Sequence, residues 1–176
     1  VSAGRNVAGG HFIAQRDDVA IRAGDSVTAA VGPDRIAELA PIIGLGSGSA
    51  TVTARRDLAV GRSYNTTLLP RVAANNPGAV TRLQSLFSTW SPDSGGSLAA
   101  GGSVQWRNEP QAFIFNPSQG YVSASRAPDI DLLQAPVMRI QAAGGDILVG
   151  GNRTTLAPSS QGGLTLLAGG DIRGAD

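Results

Sequence analysis

The sequence has no cysteine and no lysine, and only two glutamates, Glu38 and Glu109. Lack of cysteine removes disulfides, thiolate metal sites and thiol catalysis together. It also suits a chain that crosses membranes unfolded, since no disulfide can form on the way. Lys and Glu are the usual fillers of exposed helix faces, so their scarcity argues against a helical protein. There is one histidine, His11, and a zinc site would have only carboxylates to complete it; a structural or solvent-facing imidazole is the simpler reading. No apolar run reaches 18 residues, and no signal-peptide pattern opens the chain. The 14 basic residues are all Arg, scattered among 13 acidic ones for a net charge of +1. That balance draws the chain neither to nucleic acid nor to a membrane surface.

Glycine is abundant, at 24 of 176 residues, roughly twice its usual share of about 7%. Glycine weakens helix and strand interiors and serves at tight corners. With regular Val, Leu and Ile, it points to many short strands and many corners. One pattern recurs: a small residue, two variable ones, then Asp, Asn or Ser, then an aliphatic residue. It reads Ala3-Gly4-Arg5-Asn6-Val7, Ala23-Gly24-Asp25-Ser26-Val27, Ala54-Arg55-Arg56-Asp57-Leu58 and Ala100-Gly101-Gly102-Ser103-Val104. It returns as Ala143-Gly144-Gly145-Asp146-Ile147 and Ala168-Gly169-Gly170-Asp171-Ile172, with a weaker seventh copy at Gln15-Arg16-Asp17-Asp18-Val19. The chain begins and ends inside this motif, so it is expected to be a segment of something longer.

Alternating apolar residues flank the copies, as in Val52-Thr53-Ala54 before a corner and Ile147-Leu148-Val149 after one. Period-two alternation reads as strand, so each unit is strand, corner, strand. At the corner, Gly supplies positive φ, and Asp, Asn or Ser bonds its own local backbone. A hairpin and a β-solenoid both fit such a unit. Near-identical corners favour the solenoid, in which like residues stack over like. The fold class is therefore all-β, a single β-helix segment spanning 1–176 with short helical insertions.

Three segments interrupt the pattern. Residues 33–41 read as one short helical excursion, with Pro33 at its start and Pro41 near its stop. In 75–95, Asn76 is a candidate cap, and Val80, Leu83, Phe87 and Trp90 fall on one helical face. Residues 109–136 are rich in Pro and aromatics and look like a loop-bearing coil or another excursion. Where the insertions serve recognition, the candidates are Phe87, Trp90, Trp106, Phe113, Phe115 and Tyr121.

Little else in the chain suggests chemistry. Asp129 and Asp131 would share one face of a strand, and paired carboxylates can cleave glycosides or hold calcium. They carry the alternative reading of a carbohydrate-binding or polysaccharide-cleaving β-helix. The Gly-Gly-Asp corners lack the tandem pattern of calcium-binding repeats. Asn65-Thr66-Thr67 and Asn152-Arg153-Thr154 match the glycosylation triplet. No metal, no cofactor and no enzymatic activity are expected.

The Ala-Gly-Gly-Asp-Ile corners and the run Leu164-Thr165-Leu166-Leu167-Ala168-Gly169-Gly170-Asp171-Ile172 resemble elements of filamentous haemagglutinins. So does the stretch from Asp34 to Pro70, with Leu39-Ala40-Pro41, Val52-Thr53-Ala54-Arg55-Arg56-Asp57-Leu58 and Tyr64-Asn65-Thr66-Thr67-Leu68-Leu69-Pro70. The resemblance implies a right-handed parallel β-helix exported by two-partner secretion. It implies an outer-membrane transporter as partner during export, then a place on the bacterial cell surface. It also implies roles in attachment, biofilm formation or presentation of a distal effector module, with a cell-surface receptor or glycan as partner. It supplies no catalytic residue. The Asn-rich motifs of the family's secretion domain are not found here, so shaft or distal module is expected.

Overall fold

The computed structural model describes residues 1–31, 38–67, 70–73, 76–83, 88–107, 112–116, 120–124, 132–150 and 154–174. Among them there is no helix; every element is a strand. The chain makes six passes, each placing one strand in a first sheet and the next in a second. The first sheet stacks Ser2–Ala3, Val19–Ala23, Ala50–Ala54, Gly95–Ala100, Val137–Ala142 and Gly163–Ala168 in sequence order. The second stacks Val7–Ala8, Val27–Thr28, Leu58–Val60, Val104–Trp106, Ile147–Val149 and Ile172–Gly174 likewise. All neighbours in both sheets are parallel. A third set holds His11–Ala14, Ile42–Leu45 and Arg62–Asn65 in one parallel sheet, with Leu132–Gln134 and Thr154–Leu156 as a parallel pair.

Register explains the sequence pattern. Ala3, Ala23, Ala54, Ala100, Ala142 and Ala168 form one column, and Val7, Val27, Leu58, Val104, Ile147 and Ile172 another. Between the first-sheet alanines, Ile21, Val52, Leu98 and Ile140 form a third column, each at most 2% exposed. Burying such a side chain is worth about 1.5–3 kcal/mol, so the columns make the core. The inner residues of the final pass are uncovered: Leu164 is 48% and Ile172 51% exposed, whereas their register partners Met138 and Ile147 are 2% and 0%.

The corners between first and second sheets differ from expectation in three ways. Their Asp, Asn and Ser side chains do not fold back on their own backbone but reach the next pass. Asn6 Oδ1 accepts from Ser26 N (3.1 Å), Ser26 Oγ from Asp57 N (3.4 Å), and Asp57 Oδ1 from Ser103 N (2.9 Å). Ser103 Oγ then accepts from Asp146 N (3.2 Å), and Asp146 Oδ1 from Asp171 N (2.8 Å). The corner amides would otherwise lack partners where the strand ladders break, and a short side chain with an oxygen supplies one. The corner glycines are not at positive φ, which occurs at Gly9 and Gly10. Where a corner glycine stacks on the preceding pass it is needed for closeness: a Cβ on Gly24 would lie 2.2 Å from Gly4 O, and one on Gly101 2.1 Å from Arg55 O, while Gly4, on the first pass, has open space. Finally, Gln15-Arg16-Asp17-Asp18-Val19 is a different corner, from third sheet to first, although Asp18 Oδ1 caps Ser49 N there at 2.8 Å in the same manner.

In their described parts the expected helical insertions show strands and no helix. Ala30–Val31 pairs antiparallel with Glu38–Leu39, and Pro70–Ala73 with Asn76–Leu83, so 33–41 and 75–95 are not helical in their described parts. Gly95 already belongs to the first sheet. Within 109–136, Ala112–Asn116 pairs antiparallel with Gly120–Ala124, and Leu132–Gln134 has rejoined the third set. Short apolar spacings of three and four residues fit helix and strand alike. Here β-prone residues such as those of Ala112-Phe113-Ile114-Phe115-Asn116 decide.

Candidate recognition surfaces

Where the hairpins leave the stack decides what they can frame. The excursions of passes 2 and 4 both depart at the corner from second sheet to third, after Thr28 and after Trp106. Pass 3, lying between them, turns that corner with the single residue Gly61. The outer face of the second sheet carries a groove of about 500 Å³ centred on pass 3. Thr28 and Ala59 line it, with Asp57 and Ser103 at the corner and Gln105 and Arg107 further along. Arg107 donates to Gln105 Oε1 through Nε (3.3 Å) and Nη2 (3.2 Å). Small apolar and hydrogen-bonding side chains in one open groove suit a polar chain such as an oligosaccharide. Asp57 and Ser103 stand out in the sequence as corner residues, but Thr28, Ala59, Gln105 and Arg107 do not, because register alone brings them together.

The sequence-predicted aromatics have different fates. Trp106 is fully buried in the core column beside Val60 and Val149, so it is not a surface residue. Trp90 is half-buried and packs against the core. Both indole N–H groups are shielded without a partner. In the hairpin of pass 4, Phe115 stands opposite Tyr121 and Phe113 opposite Ser123. Phe87, Asp129, Asp131 and Asn152 lie outside the described residues.

Asn65 is 0% exposed. Its Nδ2 donates to Gly46 O at 3.3 Å, and its Oδ1 accepts from Thr67 N (3.1 Å) and Thr89 N (3.3 Å). It therefore ties together the two ends of the pass-3 excursion, and the folded chain presents no modifiable amide at this triplet. Ser91 and Ser94 complete the return by donating to Ser47 O at 3.0 and 2.8 Å.

His11 is exposed, but its Nε2 lies 2.5 Å from Tyr64 Oη. Partial burial lowers the imidazole pKa below its ordinary value. Tyr64 is 7% exposed and lies across Gly44, where a Cβ would come 2.8 Å from the phenol oxygen. Arg62 stands over the Tyr64 ring, its Cζ 5.9 Å from the centroid. Among the described residues, no group of three His, Cys, Asp or Glu is arranged to hold a metal ion. Searches of family models, curated proteins and solved structures find no match to this chain.

Proposed function

We propose that the chain is a section of a right-handed parallel β-helix, serving as shaft and adhesive segment of a large secreted bacterial surface protein of the filamentous-haemagglutinin type. The observation that carries this reading is the corner ladder: five side-chain-to-amide bonds joining six passes of parallel strands in register. Crossovers between parallel strands of one sheet are right-handed in about 98% of cases, which favours that hand. Each pass covers the inner face of its neighbour, as the exposed Leu164 and Ile172 illustrate. An array of this kind gains stability from neighbours and lengthens without changing its plan. Six passes at about 4.8 Å make a section of roughly 24 Å between first and last. The corner motif is the same element that carries the family resemblance.

In this reading the chain is exported through an outer-membrane transporter and does no chemistry. The second-sheet groove and the hairpins beside it meet a surface receptor or glycan. Antibodies raised against the chain should label intact cells of the source bacterium, and the label should disappear when the cognate transporter is deleted. Label confined to lysed cells would overturn the reading.

A further inference from the structure

The most conspicuous polar group outside the groove is Arg62. It opens the third-sheet strand of pass 3, in register with Ile42 and His11, while Tyr64 aligns with Gly44 and Ile13. Its Nε is shielded from solvent and has no hydrogen-bond partner. No ion pair to it exists among the described residues. Burial lowers its pKa, and Tyr64 opposes that shift. A guanidinium stays charged in proteins, and shielded charges are ordinarily paired. Arg173, at the open end of the corner ladder, shows the contrast: although exposed, it lies 2.6 Å from Asp171 and 3.7 Å from Asp146.

The surroundings of Arg62 are held rigidly. Tyr64 is fixed at its hydroxyl by His11 and bedded on Gly44, where no side chain fits. The Tyr64 ring faces the guanidinium at 5.9 Å and partly stabilises it, but supplies no acceptor for Nε. Ile42 and Ile13, the latter 55% exposed, give apolar surface on the same outer rows.

We propose that Arg62 anchors an oxyanion site on the outer face of the third sheet, taking the carboxylate or sulfate of an acidic sugar. The guanidinium fork matches either group. Arg62 is the one guanidinium that the described residues place at the site, which favours one oxyanion over a polyphosphate, and the isoleucines suit the C–H face of a sugar ring. His11 is a positioning residue, acting through Tyr64. This inference does not depend on the shaft reading.

The test is an NMR titration of the whole chain with sodium sulfate, with glucuronate and with glucose, following the Arg62 Nε–H and the His11 ring. The exposed Arg22 serves as the control for bulk ionic strength. Saturable shifts at Arg62 and His11 that exceed those at Arg22 are expected for sulfate and glucuronate and not for glucose. Arg62→Gln should weaken binding at least about tenfold without moving the melting temperature. Shifts no larger than at Arg22, or undiminished in Arg62→Gln, would overturn the site. If the variant fails to fold, the Arg62 Nε–H titration in the unmodified chain decides alone. Tighter binding of glucuronate than of sulfate supports a sugar ligand. Sulfate bound as tightly as glucuronate overturns the sugar assignment and leaves a bare oxyanion site.

Discussion

Two corners of the same stack obey different rules. From first sheet to second, every pass turns within three residues, except pass 5, which takes four (143–146). From second sheet to third, the link is Gly61 alone in pass 3, but residues 107–131 in pass 4. The uniform corner has a bond to make with its neighbours, and each copy must present an oxygen at one height. The variable corner has no such ladder among the described residues, so its length is free. At this corner the stack accepts insertions where no column of side chains runs through the link, whereas the pass-3 excursion, at the corner from third sheet to first, is tied in by Asn65, Ser91 and Ser94; loops of either kind are where binding residues collect.

The contrast is broken most forcefully inside the core beside the variable corner. Trp106, the last strand residue before the pass-4 excursion, is fully buried. Trp106→Ala should cost about 3–5 kcal/mol in urea unfolding. Replacing 108–131 by two glycines, as pass 1 uses at Gly9-Gly10, should by contrast leave the melting temperature nearly unchanged. A large loss on that replacement would show that the excursion supports the stack. Asn65→Ala comes next. It leaves the Thr67 and Thr89 amides and Gly46 O without their side-chain partner, at about 1–3 kcal/mol. Amide exchange should quicken first at Thr67 and Thr89; uniform quickening across the stack would contradict a local tie.

The uniform corner gives a smaller, more discriminating effect. Asp57→Ala removes the acceptor for Ser103 N and should cost about 1 kcal/mol. Asp57→Asn keeps the oxygen and should cost little, and Asp57→Lys should behave like the alanine. Equal losses for Asn and Ala would mean that charge, not the amide bond, selects the residue.

This corner was the most legible part of the chain, because stacking repeats one local problem six times and the sequence answers it with the same residue types. What those types do there was not legible. A side chain reaching its own backbone and one reaching the next pass leave the same mark in sequence. Asp18 shows the limit, since it solves the same problem at another corner and so resembles a seventh copy. The hairpins were misread as helices because Val80, Leu83 and their neighbours satisfy both periods over so short a length. The meeting of Tyr64, His11 and Arg62 was not legible for a different reason. Tyr64 meets His11 across 53 residues, and only the register of three passes brings them together. Asn65 matches a modification triplet in sequence, but in the folded chain its amide is buried and bonded to Gly46 O.

The smallest expected effect follows from His11 and its sign is fixed. Its pKa is lowered by burial in the folded state, from an ordinary value of about 6.5. Above that value the ring is neutral in both folded and unfolded chains, and it contributes nothing to the pH dependence. Below it the unfolded chain binds the proton more readily, so stability falls as pH drops from 6.5 toward the lowered folded value. The ring is also tied to Tyr64 Oη; a charged imidazole can donate to that oxygen but no longer accept from it. Urea midpoints measured from pH 7.5 to 5 should therefore decline, and His11→Gln should flatten part of that decline. An unchanged slope in the variant would place the pH sensitivity on the carboxylates instead. The uniform corner makes the opposite forecast: Asp57→Asn, which keeps the amide bond, should leave the His11-dependent part of the slope where it was. The two sides of the stack would then be separable by pH, the neutral ring holding the variable side and the oxygen ladder the uniform one.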